Sequence, residues 1–480
     1  MTCDHCARSI ESAVLELPGV AEARVDYPSG RGTVQGASLD VDGILAKIRG
    51  LGYQAEIAED ATASLDTEKP HIAIIGTGSA AFAAAIEATG RGARVTLVER
   101  APVIGGTCVN IGCVPSKILI RAAHIAHLQS QHPFRGLPRC RGNIDRPALL
   151  AQQQARVEEL RHAKYESILE QHPEIALLRG EARFLDAHRL EITGEGGHSQ
   201  VLEPDRILIA TGARPALPEI PGLADTPWWS STEALATESA PEHLVVLGGS
   251  VVALELAQAF LRLGSRVTLL ARSTLLSRED PEIGALLAEL LEEEGMALHL
   301  HTVPESVAHD GRNFHVHLPD GEHIECDRLL VATGRRANTD RLGLEKAGVE
   351  TDPAGRIRVD ERLCTSQPHI YAAGDCTTLP QYVYVAAAAG TRAAINMTGG
   401  DARLDLSAMP AVVFTEPAVA TVGMDTRMAA KAGLKVETRR LDLDSVPRAL
   451  ANFDTRGFIK LVAEAGSGRL LGCQVVAAEG

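Results

Sequence analysis

Residues 71–100 read HIAIIGTGSAAFAAAIEATGRGARVTLVER, and the pattern of this segment indicates an α/β fold. An apolar run of strand length leads into a G-x-G-x-x-A turn formed by Gly76, Gly78 and Ala81. A helix of small residues and a second strand follow, and this strand ends at Glu99. The glycines let the backbone approach a pyrophosphate at the helix N-terminus, and the acid can accept hydrogen bonds from a ribose 2′-hydroxyl. Glycine-rich turns are common, but the complete strand–helix–strand pattern with its terminal acid predicts a dinucleotide-binding unit.

A second unit repeats this pattern from residue 243 onward. A strand is followed by a turn that contains Gly248 and Ser250, then by a helix and another strand. This last strand ends at Ala271-Arg272 instead of at an acid, and an arginine there can pair with a 2′-phosphate. The second unit is therefore predicted to bind NADPH rather than NADH. The alternative is that Arg272 is only a solvated surface charge.

A pair of cysteines occurs in residues 105–117, GGTCVNIGCVPSK. Cys108 and Cys113 are separated by four residues, whereas zinc sites usually space cysteines by two and need a second pair nearby. A dithiol that closes into a small-loop disulfide fits this spacing better. The helix that follows would lower a thiol pKa through the partial positive charge of its N-terminus. The alternative is two buried cysteines that never meet.

Three further segments carry a family resemblance: Ala210-Thr211-Gly212, Ala332-Thr333-Gly334-Arg335 and Tyr371-Ala372-Ala373-Gly374-Asp375. Together with the dithiol segment, they resemble the pyridine nucleotide-disulfide oxidoreductase family over roughly residues 71–480. The resemblance implies an α/β fold with two Rossmann-like dinucleotide-binding domains of the glutathione reductase type, and FAD and NADPH as cofactors. It also implies an electron path from NADPH through FAD to a disulfide between the two cysteines.

The same resemblance implies roles for individual residues. Asp375 is expected to hydrogen-bond the ribityl chain of the flavin, and Lys117 to lie against the flavin and pair with Glu255. Cys113 is expected nearer the flavin, with Cys108 as the more exposed partner. The expected catalytic residues are Cys108, Cys113, Lys117 and Glu255. The expected cofactor-binding residues are Gly76, Gly78, Ala81, Glu99, Gly106, Thr107, Lys117, Ala182, Thr211, Gly212, Asp375, Val383, Gly248, Ser250, Arg272 and Gly334.

The N-terminal residues 2–6 read TCDHC and precede an amphipathic helical pattern. This region resembles a heavy-metal-associated domain of α+β fold, although the first strand of that domain is absent from the sequence. The resemblance implies that Cys3 and Cys6 form a clamp for a soft ion such as Cu(I) or Hg(II), which two thiolates favour. A thioredoxin-like redox pair is the alternative, but that motif is expected after a strand in a longer βαβ unit.

A soft-metal domain joined to a flavin disulfide reductase indicates the branch of the family that reduces Hg(II) to Hg(0) with NADPH. Hg(II), the substrate, is expected to pass by ligand exchange from Cys3 and Cys6 to Cys108 and Cys113, which are the predicted metal ligands. Small thiols, a second copy of the chain in a homodimer and a transient contact with a mercury transporter are the implied partners. Two alternatives stay open: a dihydrolipoamide or glutathione-type disulfide reductase, and a soft-metal-binding protein whose reductase part is inactive.

The predicted domain organisation has six parts: a heavy-metal-associated domain at 1–59, a linker at 60–70, an FAD-binding domain in two parts at 71–217 and 335–402, an NADPH-binding domain at 218–334 and an incomplete α+β dimerisation domain at 403–480. The family continues beyond the point that corresponds to Gly480 with further helices, and its mercury-reducing branch ends in a cysteine pair. We therefore expect a chain that is truncated at its C-terminus.

The composition agrees with a globular enzyme. The 480 residues carry a net charge of −15 and are 45% hydrophobic, which is ordinary for a globular chain. The acidic balance argues against nucleic-acid binding, and charges interrupt the most apolar stretches, so no membrane span is expected. Nine cysteines without the spacing of a disulfide framework suit a reducing, cytoplasmic compartment.

Overall fold

The computed structural model describes residues 4–26, 31–36, 39–51, 53, 55, 69–140 and 142–478, with the backbone alone at 4–6, 8, 21, 22, 26, 31, 35 and 42. The chain divides into two compact units, residues 1–68 and 69–480. Cys3 and the side chain of Cys6 lie outside the described residues, so the metal clamp stays a prediction. Most of the predicted linker at 60–70 also lies outside the described residues, so it stays a prediction as well.

The described residues of the smaller unit form four elements: α1 Asp4–Leu15, β1 Val20–Asp26, β2 Arg31–Gly36 and α2 Val41–Gly50. The two strands pair antiparallel. Ile10 and Val14 are four residues apart on α1 and therefore share one helix face, which is buried with Ala23 and Ile44. The predicted amphipathic helix is thus confirmed.

The larger unit begins with the first dinucleotide-binding domain. Its elements in chain order are β3 His71–Ile75, α3 Ser79–Gly90, β4 Arg94–Glu99, α4 Gly106–Ile111, α5 Cys113–Gln131, α6 Arg146–Arg161, α7 Ser167–Gln171, β5 Ile175–Arg179, β6 Glu181–Phe184, β7 Leu190–Thr193, β8 Ser199–Leu202, β9 Arg206–Ile209 and β10 Ala213–Pro215. A π-helical turn, His162–Glu166, joins α6 to α7.

The second dinucleotide-binding domain and the return to the first follow in the chain. The elements are α8 Ser231–Ala236, β11 His243–Leu247, α9 Val251–Arg262, β12 Arg266–Ala271, α10 Pro281–Glu293, β13 Ala297–Leu300, β14 Ser306–His309, β15 Phe314–His317, β16 His323–Cys326, β17 Arg328–Val331, β18 Arg335–Ala337, α11 Leu344–Ala347, β19 Ile370–Ala372 and α12 Val383–Met397.

Two parallel sheets organise these domains. The first has the order β19-β9-β3-β4-β5 and the second β13-β12-β11-β17. Every residue of β3 and of β11 is buried, as expected for central parallel strands covered on both faces. The predicted strand–helix–strand patterns are confirmed in both units. β10 and β18 pair antiparallel where the chain passes between the two domains.

The last part of the chain forms an antiparallel sheet. Its elements are β20 Pro410–Val413, β21 Ala418–Gly423, α13 Thr426–Lys431, β22 Val436–Asp442, α14 Pro447–Asn452, β23 Phe458–Glu464 and β24 Leu470–Ala477. The strand order is β20-β21-β24-β23-β22. Within the described part of the chain, no helix combines the length and apolar character that crossing a membrane requires.

Candidate active site

A cavity of about 370 Å³ lies where the carboxyl ends of three parallel strands meet. Ile75 at the end of β3, Glu99 at the end of β4 and Ala210 just beyond β9 line it. Open α/β sheets bind ligands at this edge, where the connections on either side of the sheet diverge. The sequence-predicted residues in its lining are Gly76, Gly78, Glu99, Gly106, Thr107, Cys108, Cys113, Ala182, Thr211, Gly212, Asp375 and Val383.

Two of the residues predicted to contact FAD lie outside that lining. Ala81 is fully buried within α3, where it packs in the core of the first domain rather than facing a ligand. Lys117 lies one helical turn beyond Cys113 and pairs with Glu255. Its expected contact with the flavin stays a prediction.

The cavity suits the parts of FAD. Helix α3 begins beside Gly78, and a helix N-terminus favours a pyrophosphate. The Glu99 carboxylate is held by the hydroxyl of Thr77 and the backbone N–H of Ala101, so it is positioned to accept from a ribose. Burial raises the pKa of Asp375, and the charge of Arg335 opposes that rise. These residues fit the adenosine, pyrophosphate and ribityl parts of the cofactor.

In both dinucleotide units, a glycine lies where the turn after the first strand passes close to the backbone of a neighbouring segment. Gly76 has φ +114°, and a Cβ atom there would lie 2.4 Å from the carbonyl oxygen of Ala210. Gly248 has φ +133°, and its Cβ would lie 2.4 Å from the carbonyl oxygen of Ala332. A side chain at either position would clash with the neighbouring strand in a conformation that only glycine adopts easily.

The residues predicted to bind NADPH lie at the corresponding positions of the second unit. Ser250 is the N-cap residue of α9, and Gly334 has φ +141° with open space around its missing side chain. Arg272 is exposed and is the first residue beyond β12, close to the position that Glu99 takes at the end of β4. Its pairing with a 2′-phosphate stays a prediction.

The two cysteines meet at the wall of the cavity. Cys108 lies on α4 and Cys113 is the first residue of α5, with Gly112 between the two helices. Both are free thiols. The hydrogen bond from the Cys108 thiol and, to a smaller extent, the positive charge of Lys117 lower the pKa of Cys113 to about 7, although burial opposes them. The same hydrogen bond and burial raise the pKa of Cys108, so Cys113 is the thiolate of the pair.

Cys113, the first residue of α5, is exposed, and Cys108 on α4 is partly exposed. Both line the cavity that suits FAD, so this exposed surface includes the part that the flavin is expected to cover. The expected order, with Cys113 nearer the flavin and Cys108 more exposed, stays a prediction.

An ion pair stands behind the cysteines. Lys117 Nζ lies 2.6 Å from Glu255 Oε2, and the Glu255 side chain is only 5% exposed. The other carboxylate oxygen accepts the backbone N–H of Phe414 at 2.9 Å. Lys117 Nζ also lies 4.6 Å from the centre of the Phe414 ring, a cation–π distance. The predicted pairing of Lys117 with Glu255 is confirmed.

Sequence reasoning missed Phe414. This residue is 159 positions from Glu255 and has no charge, so neither its type nor any local spacing connects it with the site. Gln381, two residues before the predicted Val383, also lines the cavity and was not predicted. Only the packing of the last sheet against the two dinucleotide domains brings Phe414 to the ion pair.

The fold and site together define a two-nucleotide dithiol oxidoreductase. The pyridine nucleotide-disulphide oxidoreductase model matches residues 70–390, and the dimerisation-domain model of the same family matches residues 409–480. The heavy-metal-associated domain model matches residues 1–54. The chain therefore belongs to the pyridine nucleotide-disulphide oxidoreductase family.

Within this family, the chain is similar over its whole length to mercuric reductases. A mercuric reductase from Acidithiobacillus ferrooxidans is 56% identical over 100% of this chain and 88% of its own length. One from Shigella flexneri is 54% identical over 100% of this chain and 89% of its own length.

Solved structures agree on the fold. The Cu(II) complex of the HOCl-induced flavoprotein disulfide reductase RclA from Escherichia coli has a TM-score of 0.76 at 30% identity, covering 86% of this chain and 90% of that one. LpdA from Mycobacterium tuberculosis has a TM-score of 0.76 at 29% identity, covering 85% of this chain and 90% of its own.

Proposed function

We propose that the chain reduces Hg(II) to Hg(0) with NADPH, in the overall reaction NADPH + Hg(II) → NADP⁺ + H⁺ + Hg(0). The observation that carries the proposal is the Cys108–Cys113 thiol pair, with Cys113 ionised near neutral pH at the wall of a cavity suited to FAD. The identity to mercuric reductases over the whole chain supports mercury as the substrate.

The two thiols divide the work of binding the substrate. Soft thiolates favour soft ions, and ligand exchange requires the thiolate form. Cys113 therefore attacks first and displaces one ligand of the incoming Hg(II). Cys108 releases its proton as its sulfur becomes the second ligand, and the remaining substrate ligand leaves. FAD, when bound, supplies the two-electron carrier between NADPH and the site that holds the metal.

The ion pair Lys117–Glu255 places a positive charge near the Cys113 thiolate. Lys117 lies on the same helix as Cys113, one turn further on, and its charge favours the thiolate. Glu255 and the ring of Phe414 hold the ammonium group in place. Lys117 and Glu255 therefore act by positioning charge, while Cys108 and Cys113 contact the substrate.

The proposal also covers the choice of nucleotide and the N-terminal metal clamp. Arg272 selects NADPH over NADH by pairing with the 2′-phosphate. Cys3 and Cys6 hold Hg(II) before it reaches the reductase cysteines, which is consistent with the match to a heavy-metal-associated domain. Both assignments rest on the sequence and on the family.

The remaining partners and the compartment follow from the same chemistry. The match to a dimerisation domain supports a homodimer. Small cytoplasmic thiols carry Hg(II) to the enzyme, because the ion is bound by thiolates at every stage, and a mercury transporter is a transient donor. A cytoplasmic location keeps the cysteines reduced.

The proposal is tested by substrate-dependent NADPH oxidation. We expect Hg(II) presented as a thiol complex to stimulate NADPH oxidation by the FAD-bound chain, and lipoamide or glutathione disulfide not to do so. Cys108→Ala and Cys113→Ala should each abolish the stimulation, while Cys140→Ala, a change at an exposed cysteine outside the cavity, should not. Turnover of a disulfide in place of Hg(II) would assign the chain to another branch of the family.

A further inference from the structure

A group of histidines lies in and beside the three-stranded sheet β14–β16 of the second dinucleotide domain. Five of the 17 histidines of the chain fall within residues 301–323, namely His301, His309, His315, His317 and His323. None of them lines the cavity that contains the cysteines. The reductase reaction proposed above therefore leaves this group without a role.

Strand register places three of these histidines on one face. His315 and His317 alternate with the buried residues Phe314 and Val316 on β15, so both point outward. His323 on β16 pairs directly with His317 and is exposed. His323 is therefore the direct cross-strand neighbour of His317 and the diagonal neighbour of His315.

A carboxylate orients the first of these rings. His315 Nε2 lies 2.9 Å from Asp310 Oδ2. The other oxygen of Asp310 accepts the backbone N–H groups of Arg312 and Asn313 at 2.8 Å, which fixes the carboxylate in place. Because a carboxylate only accepts, His315 Nε2 donates, and in the neutral ring the lone pair is on Nδ1. That nitrogen lies 3.1 Å from His323 Nε2.

We propose that His315 and His323 bind a divalent cation that prefers imidazole nitrogen, such as Ni²⁺, Cu²⁺ or Zn²⁺. Metal–nitrogen bonds of about 2.0–2.1 Å place neighbouring ligand nitrogens roughly 3 Å apart. The hydrogen bond between His315 Nδ1 and His323 Nε2 has a similar nitrogen–nitrogen distance. The cation replaces this hydrogen bond after the exposed His323 ring rotates.

Asp310 belongs to the second coordination sphere of the proposed cation site. Asp310, His315 and the cation make a carboxylate–histidine–metal arrangement, which fixes the tautomer and raises the basicity of the ligand. Among the described residues, no group of three or more histidine, cysteine or acidic side chains surrounds a common point. Water therefore completes the coordination, and the site binds its cation reversibly.

The proposal is tested with Ni²⁺ as the probe, by equilibrium dialysis of the full FAD-bound chain after its thiols are blocked with N-ethylmaleimide. His315→Gln and His323→Gln should each lose one equivalent of bound Ni²⁺. His317→Gln, the matched control on the same face, should keep it. Asp310→Asn should keep the stoichiometry and weaken the affinity by about 10-fold or more. FAD content and far-ultraviolet circular dichroism would verify that each variant is folded.

Two results would overturn the assignment. Unchanged Ni²⁺ binding in both His315→Gln and His323→Gln would show that the rings only hydrogen-bond each other. An equal loss in His317→Gln would show unspecific binding to a histidine-rich surface rather than the pair that Asp310 orients.

Discussion

Cys113 is the residue on which the proposed chemistry depends, and its ionisation has an identifiable cause. The hydrogen bond from Cys108 is the largest influence that lowers the pKa of Cys113, burial opposes it, and the charge of Lys117 adds to it. With a pKa of about 7, the thiolate is substantially populated at neutral pH and becomes dominant as the pH rises. A nucleophile and metal ligand needs this form.

The first prediction concerns this thiolate. Cys108→Ala should raise the pKa of Cys113 because the hydrogen bond is lost, and Lys117→Met should raise it by less. In both variants, the rate of Cys113 alkylation by iodoacetamide, followed by peptide mass spectrometry, should reach its midpoint at higher pH. Lys431→Met, a change at an exposed lysine on α13, should leave the midpoint in place. A midpoint that none of these changes moves would contradict the assigned causes.

The second prediction concerns Arg272. Arg272→Glu should weaken NADPH binding by on the order of 1.5–3 kcal/mol, the usual worth of a hydrogen bond to a charged group, because a phosphate contact is replaced by repulsion. NADH should change little, since it lacks the 2′-phosphate. Dissociation constants measured with both nucleotides give the ratio. If that ratio does not change, Arg272 is only a surface charge.

At the scale of elements, α12 must lie close against α3 for the cavity to form. A Cβ atom at Gly390 of α12 would lie 2.1 Å from the carbonyl oxygen of Ala80. Small residues continue this contact along both helices, with Ala84, Ala389 and Ala393 in the same core. Because Val383 at the start of α12 and Ser79 at the start of α3 line the cavity, the spacing of the helices sets its width.

The third prediction tests that spacing. Gly390→Ala should destabilise the larger unit by about 1–3 kcal/mol, the usual cost of overpacking, and should release FAD at a lower temperature. Gly90→Ala is the matched control, because a Cβ at the end of α3 meets nothing within 4 Å. Flavin fluorescence during thermal unfolding gives the release temperature. Equal temperatures for the two variants would contradict the close approach.

The sequence predicts the elements of the dinucleotide domains well because their signals are local. The strand at residues 71–75, the glycine turn and the acid at residue 99 follow one another in the chain, and short-range sterics determine each of them. Phe414 could not be predicted, because it reaches Glu255 only through the packing of a distant sheet.

At the scale of the whole molecule, the proposed metal clamp and the pair Cys108–Cys113 belong to different compact units of the chain, so we expect a change in one to leave the function of the other intact. The fourth prediction is that replacing both Cys3 and Cys6 with Ser lowers the number of Hg(II) ions bound per chain and leaves the reduction of FAD by NADPH unchanged. Mercury stoichiometry after dialysis and stopped-flow absorbance of the flavin give the two readouts. Slower flavin reduction in this variant would contradict their independence.

The most direct measurement is the release of Hg(0) vapour by the FAD-bound chain with NADPH and a thiol complex of Hg(II). We expect one Hg(0) released for each NADPH oxidised, loss of release in Cys108→Ala and in Cys113→Ala, and a strong preference for NADPH over NADH. NADPH oxidation without mercury vapour, or turnover of lipoamide in its place, would contradict the proposed function.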